Sequence, residues 1–343
     1  MTSPVPSKST VETAQPNPVP ASEFPDRVSD AFAIGESLRQ AQQVLIVSHV
    51  RPDGDAIGSL LGLGLSLQVA GKKVQMVLAD GVPMAFRHLA GSAQITKQPK
   101  GPFDLVTVVD ASDLSRVGKA LEGLPAPDVN IDHHITNLNF ARLNLVEPKS
   151  VATSAILAER LPEWGLPVTP EIASALLTGI ISDTLGFRTS NMTAKTLRLA
   201  ANLMEIGTDM PELYNRALVR RSFAATRYWA IGLNRMERQG RLVWTSLTQA
   251  DRAAIDYPGN DDADLINILS SIEEIDVAVI FVEQRGGKVK ISWRAVPGIN
   301  VSAVALTFGG GGHAAAAGAE IHGSLAEVRE KVLKATSDML ELV

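Results

Sequence analysis

Three short strand-like stretches of this chain, two of them mostly or wholly apolar, each run into an acidic or imidazole side chain, and that recurrence limits the fold more than any other feature. Val44-Leu45-Ile46-Val47 leads to His49, Asp53 and Asp55, and Leu105-Val106-Thr107-Val108-Val109 ends at Asp110. A third stretch, Asp128 to Ile131, runs into Asp132-His133-His134. Short runs rich in Val, Leu and Ile between polar loops read as strands buried on both faces, which is the signature of a parallel sheet. In an open parallel sheet the ligand crevice lies beyond the carboxyl ends of the strands. The expected fold is therefore α/β: an N-terminal parallel sheet with helices on both faces and one acidic rim, followed by a smaller α/β domain.

Composition narrows the chemistry. The 343 residues are 45% hydrophobic and 5% aromatic, enough apolar material for about two domains. The absence of cysteine excludes disulfides and thiolate ligands, so a metal must be held by oxygen and imidazole, which favours hard divalent ions. A net charge of −5 argues against a protein that tracks a long duplex by neutralising its phosphates. A short anionic substrate stays compatible. No apolar run reaches the roughly 18 residues that a membrane span needs. Met1 to Asp26 carries six prolines and lacks the charged start and apolar core of a secretory signal. It reads as a disordered tail, and the cytoplasm is the expected location.

Along the chain, Ala31 to Gln42 and Asp55 to Val69 have helical spacing, and Gly58, Ser59, Gly62 and Gly64 allow the second helix to pack closely. Lys73 to Leu78 is a further strand. Thr153 to Leu161 and Glu171 to Ile181 are expected helices, the latter delivering Asp183. Thr193 to Arg221 is helical, and its later part connects to strands at Arg241 to Ser246, Val277 to Glu283 and Val289 to Arg294. Helices are expected at Asp261 to Ser271 and Ser324 to Leu340, and Arg285-Gly286-Gly287-Lys288 is a hairpin turn. The expected division is a tail over 1–27, a catalytic domain over 28–205, a helical linker over 206–225 and a substrate-binding domain over 226–343.

Two cations about 3.5 to 4 Å apart need at least one carboxylate between them. Pro52 and Gly54 shape a turn that aims His49, Asp53 and Asp55 into one concavity, and Asp110 stands alone at a strand end, where a bridge is expected. Each fragment has a plainer reading. The Asp-Gly-Asp loop is a common turn, Asp110 or Asp183 alone reads as a helix cap, and Asp132-His133-His134 reads as a solvated turn. All four would have to coincide. Three of the six histidines lie in these loops and His313 lies in a glycine run, whereas His88 and His322 have no assignment. The segment from Phe308 to Gly318 is expected to pass from a flexible loop into an alanine-rich helix start, an anion site with His313 at its mouth. Its alternative is a loop packed against another backbone. Arg294, ending a strand, is a candidate phosphate clamp, and Arg188 and Asn191 are weaker candidates of the same kind.

Taken together, His49-x-x-x-Asp53-x-Asp55, Asp110, Asp132-His133-His134 and Asp183 resemble the motifs of the DHH phosphoesterase superfamily. Gly310-Gly311-Gly312-His313 followed by Ala316-Ala317-Gly318 resembles the signature of its associated C-terminal domain. The likeness spans about Phe32 to Leu340 and is greatest to the short members of nanoRNase and pAp-phosphatase type. It implies that His49, Asp53 and Asp110 hold one Mn²⁺ while Asp55, Asp110, His133 and Asp183 hold the other, with Mg²⁺ or Co²⁺ as alternatives. It further implies that Asp132 orients a histidine, that His134 faces the phosphate or the leaving oxygen, and that Arg294, Gly310, Gly311, Gly312 and His313 grip the nucleotide. The implied activity is hydrolysis of short RNA, of linear dinucleotides such as pApA, and of pAp, by in-line attack of a hydroxide held between two metals. The departing oxygen is protonated by His134 or water. A homodimer is compatible with the resemblance. The alternatives are a cyclic-dinucleotide phosphodiesterase, a pyrophosphatase-like hydrolase and, from another class, a non-catalytic nucleotide-binding regulator.

Overall fold

The computed structural model of the chain describes residues 27–341, so the stretch expected to be a disordered tail lies outside the described residues. Its first sheet is built from β1 (Gln43–Val47), β2 (Lys73–Val77), β3 (Leu105–Val109), β4 (Val129–Asp132) and β5 (Leu143–Val146), in the order β2-β1-β3-β4-β5. Every pairing is parallel. After β2 the chain returns to the other side of β1 to lay down β3, which makes the β1–β3 boundary the point where strand order reverses. Val47 pairs with Val108 and Val109 with Ile131, so the three carboxyl ends finish nearly level. His49, Asp110 and Asp132 thereby reach one rim.

One face of this sheet, with Val44, Ile46, Val109 and Ile131, packs on α1 (Arg27–Gln40), α2 (Gly54–Val69), α3 (Thr153–Glu163) and α4 (Pro170–Asp183). The opposite face, with Leu45, Val47, Val106 and Val108, is covered by Val117 and Ala120 of a 3₁₀ helix, Leu114–Leu121. α2 starts where the Asp53 carboxylate accepts from the Asp55 and Ala56 amides at 3.0 and 3.1 Å. It is buried along most of its length because it crosses α4 at small residues. A Cβ on Gly58 would lie 2.6 Å from the Ala175 carbonyl oxygen, which is backbone and cannot yield.

α5 (Ala194–Glu205), α6 (Met210–Tyr214) and a π-turn at Asn215–Val219 lead into α7 (Phe223–Asn234). The helical stretch expected from Thr193 to Arg221 is thus interrupted: Gly207 stands at φ 116° past the end of α5, and the Asp209 side chain restarts the helix by accepting from the Glu212 amide. The second sheet comprises β6 (Glu237–Gln239), β7 (Leu242–Leu247), β8 (Val277–Gln284), β9 (Lys288–Ala295), β10 (Gly311–His313) and β11 (Ala316–His322), in the order β10-β11-β9-β8-β7-β6. Only β7 and β8 pair in parallel. Of its two faces, one carries α7, α8 (Gln249–Ala254) and α9 (Leu265–Leu269) over β7 and β8, and the other carries α10 (Val301–Thr307) and α11 (Leu325–Glu341) around Trp293 and Phe281.

Two expectations are corrected here. The segment after the glycine run is not a helix start but a β-hairpin, with Gly311 opposite Gly318 and His313 opposite Ala316. The alanines follow a period of two: Ala317 and Ala319 are buried toward α10 and α11, while Ala316 and Gly318 face the other way. Alanine is a strong helix former, but strand pairing decides the local structure. Gly312 sits at φ 139°, and a Cβ there would meet the Ala317 backbone at 2.7 Å. The helix expected over Asp261 to Ser271 shrinks to α9, because Ala263 and Asp264 adopt left-handed backbone, φ 54° and 65°, and hold the preceding turn open.

The tight crossing of α2 and α4 makes a direct prediction. Gly58→Ala lowers the free energy of unfolding by about 1–3 kcal/mol through overpacking against fixed backbone, read from the midpoint shift in urea denaturation.

Candidate metal centre

The rim of the first sheet is where the sequence-predicted residues meet. Asp110 follows the last residue of β3 in left-handed backbone, φ 56°, a conformation disfavoured for a non-glycine side chain and characteristic of functional sites. That turn directs a buried carboxylate between two imidazoles. Asp110 Oδ2 lies 3.4 Å from His49 Nε2, and Asp110 Oδ1 lies 3.8 Å from His133 Nε2. Around the first imidazole stand Asp53, 3.7 Å away, and Asp110; around the second stand Asp55, Asp110 and Asp183, at 3.9, 3.8 and 3.5 Å. The two groups His49–Asp53–Asp110 and Asp55–Asp110–His133 each bring three ligand atoms within reach of one cation, and Asp110 belongs to both.

The backbone fixes which imidazole nitrogen faces the cluster. His49 Nδ1 donates to the Val50 carbonyl at 2.9 Å, and His133 Nδ1 donates to the Ser150 carbonyl at 3.3 Å, leaving both Nε2 atoms turned inward. His134 also donates through Nδ1, but to a carboxylate instead of a backbone carbonyl. Its Nδ1 donates to Asp132 Oδ1 at 2.7 Å, while Asn137 Nδ2 holds Asp132 Oδ2 at 2.6 Å and the His133 amide donates to Oδ1 at 2.8 Å. Asp132 is fully buried and spends its oxygens on these three donors. His134 Nε2 is then free toward the cleft.

Crowding so many carboxylates out of water shifts their protonation. Burial pushes Asp55 up to about 7, with the Asp110 charge adding to it. Burial likewise raises Asp183 well above the carboxylate range, reinforced by Asp55, Asp53 and Asp110. Burial opposes the charged form of His49, but the Asp110 and Asp53 carboxylates outweigh it and lift the imidazole to about 10. Asp110 is held down to about 2, since His49, His134 and His133 offset the cost of burying it. A cluster that retains protons for want of positive charge is the kind that a divalent cation neutralises, and its donor set of carboxylate oxygens and imidazole nitrogens fits hard or borderline divalent ions.

The second sheet supplies the opposite wall. His313, at the end of β10, stacks on His134 with ring centroids 4.9 Å apart and an interplanar angle of 19°, and stands 5.5 Å from His133. Burial and the two neighbouring histidines push it down to about 4, so it is neutral near pH 7. Arg294 lies on the same face of the sheet as Ala316 and Ala278, its register partners. Its Nη1 donates to the Trp293 carbonyl at 3.0 Å. Burial pulls its guanidinium below the ordinary range, with Asp262, Asp264 and Asp183 opposing that shift. Gly310, Gly311 and Gly312 lie beside this wall in the hairpin rather than at a helix N-terminus. Arg188 and Asn191 are exposed on the loop after α4; Arg188 Nε donates to the Leu185 carbonyl, and neither residue contacts the cluster among the described residues.

Sequence reasoning missed Asn137, Thr153 and Ser154, which hydrogen-bond the cluster acids without entering it. Asn137 stood near enough to His134 to be found by its spacing. Thr153 and Ser154 open α3 and had no local sign.

A parallel rim of this composition, closed by a glycine-rich hairpin on a second sheet, belongs to the DHH phosphoesterases. Residues 43–180 match the DHH family, N-terminal domain, and residues 254–341 match the DHHA1 domain; the chain is a member of that family and a hydrolase of phosphoester bonds. Among its relatives is the bifunctional oligoribonuclease and PAP phosphatase NrnA of Thermus thermophilus, 35% identical over 90% of this chain and 93% of that protein. The NrnA of Mycoplasma genitalium is 30% identical over 83% of this chain and 90% of its own length. A cyclic-di-AMP phosphodiesterase, GdpP of Geobacillus thermodenitrificans, is 27% identical over 91% of this chain but only 50% of that protein. The crystal structure of an exopolyphosphatase-related protein from Bacteroides fragilis, 25% identical, covers 92% of this chain and 96% of its own at a TM-score of 0.81. No helix among the described residues is long and apolar enough to cross a membrane.

The raised protonation equilibria set a pH dependence. A group whose folded-state value lies above its unfolded one stabilises the fold below the unfolded value and loses that contribution as pH rises through the folded one. His49 and Asp55 both follow this sense, as do Asp183, His133 and His134. Asp55 gives up its contribution from about pH 4 to about pH 7 and His49 from about pH 6.5 to about pH 10, so the melting temperature of chelator-stripped protein falls across that span and the rise produced by saturating Mn²⁺ grows with it. Calorimetry across that range, with and without Mn²⁺, checks it.

Proposed function

We propose that this protein hydrolyses short oligoribonucleotides and linear dinucleotides such as pApA to mononucleotides, and removes a phosphate from pAp, with Mn²⁺ as its cofactor. The observation that carries the reading is Asp110, whose two oxygens face two different imidazole–carboxylate groups. Such an arrangement suits two cations sharing one carboxylate. In this reading His49, Asp53 and Asp110 hold one ion, and Asp55, Asp110, His133 and Asp183 hold the other. When bound, the pair supplies an activated water and neutralises charge at phosphorus.

The remaining work falls to side chains. Asp132 keeps His134 in the tautomer that presents Nε2 to the cleft, and a protonated His134 gives its proton to the departing oxygen. Burial opposes that protonation, while the hydrogen bond and charge of Asp132 and the charge of Asp110 favour it and raise the imidazole above its ordinary value. Arg294 and His313, on the second sheet, take the far phosphate or the nucleoside, and the glycines of the hairpin let backbone approach it. In this reading catalysis falls to 28–205, a linker to 206–225 and substrate binding to 226–343. A substrate that must touch both walls is short and carries more than one phosphate group. Similarity to the NrnA proteins over nearly the whole chain supports the same choice.

Two measurements test this. With Mn²⁺ present, pApA, pAp and a five-nucleotide RNA are turned over faster than cyclic di-AMP or pyrophosphate. Release of phosphate from pyrophosphate alone sinks the reading, and preference for cyclic di-AMP transfers it to the activity named for the GdpP relative. His134→Ala lowers kcat on pApA by roughly 10²- to 10⁴-fold, the usual contribution of a general acid, while Mn²⁺ affinity by calorimetry stays within a few-fold of wild type.

A further inference from the structure

α3 begins without a cap of its own. Its N-cap residue is Ala152, whose side chain accepts nothing, and the chain enters the helix through Thr153 and Ser154, both fully buried. The missing acceptor comes from another helix. The Thr153 amide donates to Asp55 Oδ2 at 2.6 Å and the Ser154 amide to Asp55 Oδ1 at 2.9 Å, so a carboxylate from α2 caps α3 with both oxygens. Amides at a helix N-terminus satisfy such a carboxylate and favour its charged form.

Thr153 makes a second contact that capping does not require. Its Oγ1 lies 3.0 Å from Asp110 Oδ1, the oxygen that faces His133. A hydroxyl has one proton to donate and the carboxylate none, so the donor is Thr153. One residue therefore restrains two cluster acids from opposite ends, its amide on Asp55 and its hydroxyl on Asp110. Being β-branched, the side chain has little freedom to release the bond. Ser59 supports only half of this arrangement, with its Oγ 3.3 Å from Asp55 Oδ1 and 3.0 Å from Ser154 Oγ. Close packing holds the assembly in place, since any Cβ on Gly179 of α4 would overlap Ser154.

We infer that Thr153 is a positioning residue for the cation pair: its hydroxyl fixes the rotation of Asp110 so that one oxygen serves each ion. The inference rests on the two-cation reading given above. A carboxylate free to rotate about its last bond would still bind one ion, but it would hold the second less firmly. Removal of an outer hydrogen-bond partner of this kind typically weakens metal binding by roughly 10- to 100-fold.

The test is Mn²⁺ binding by calorimetry and by electron paramagnetic resonance, on wild type, Thr153→Val, Thr153→Ala and Thr153→Ser. Wild type binds two ions and gives the spectrum of a coupled pair. Valine and alanine weaken the second ion at least about 10-fold and diminish the coupled signal, whereas serine, which keeps the hydroxyl, restores both. The alanine variant decides the matter if valine fails to give folded protein, as judged by metal-free melting. Two-ion binding of wild-type affinity in both valine and alanine variants overturns the inference, as does failure of serine to restore what they lose. Absence of a coupled pair in wild type itself overturns the two-cation reading beneath it.

Discussion

The site depends on a single carboxylate held in a backbone conformation it would not otherwise choose. Asp110 turns through left-handed φ at the end of β3, and that turn lets its two oxygens point to His49 and His133, which come from different strand ends. The surrounding sheet enforces it: the Asp110 amide donates to the Ile131 carbonyl at 2.9 Å, and Val109 is paired opposite Ile131. Local strain is thus held by an extended parallel ladder, which is why the geometry survives burial of so much like charge.

The first half of the fold was legible because strands buried on both faces leave uninterrupted apolar runs, and because the residues that follow such runs have nowhere to go but the rim. His49, Asp110, Asp132 and His133 could be placed by that rule. Helix identity failed where small residues carried two meanings. Ala315 to Ala317 have high helix propensity, yet the strand beside them needs side chains short enough to lie against β9 and the glycine backbone. The cap of α3 was invisible for another reason. Its acceptor, Asp55, lies 98 positions away in sequence, and only the packing of α2 on α3 brings the two together.

The cleft has an asymmetry that follows from its two sheets. The first wall carries the acids and is fixed by parallel pairing, while the second offers the neutral His313 imidazole on the β10–β11 hairpin and the Arg294 guanidinium on β9. Asp262 and Asp264 also stand near Arg294, so the second wall is mixed in charge where the first is acidic. The acidic wall presents an anion with like charge unless divalent cations neutralise its carboxylates, whereas Arg294 offers the opposite charge across the cleft.

The scatter of the cluster along the chain bears on how the protein folds. His49 and Asp183 stand far apart in sequence, and between them the chain lays down β2, β3, β4 and β5 in a sheet whose strand order is not the sequence order. In the proposed arrangement one set of ligands, His49, Asp53 and Asp110, needs only β1 and β3 side by side, whereas the other needs β4 aligned and α4 docked as well. In that reading the second cation is captured only once the domain is finished, so its affinity reports the assembly rather than guiding it.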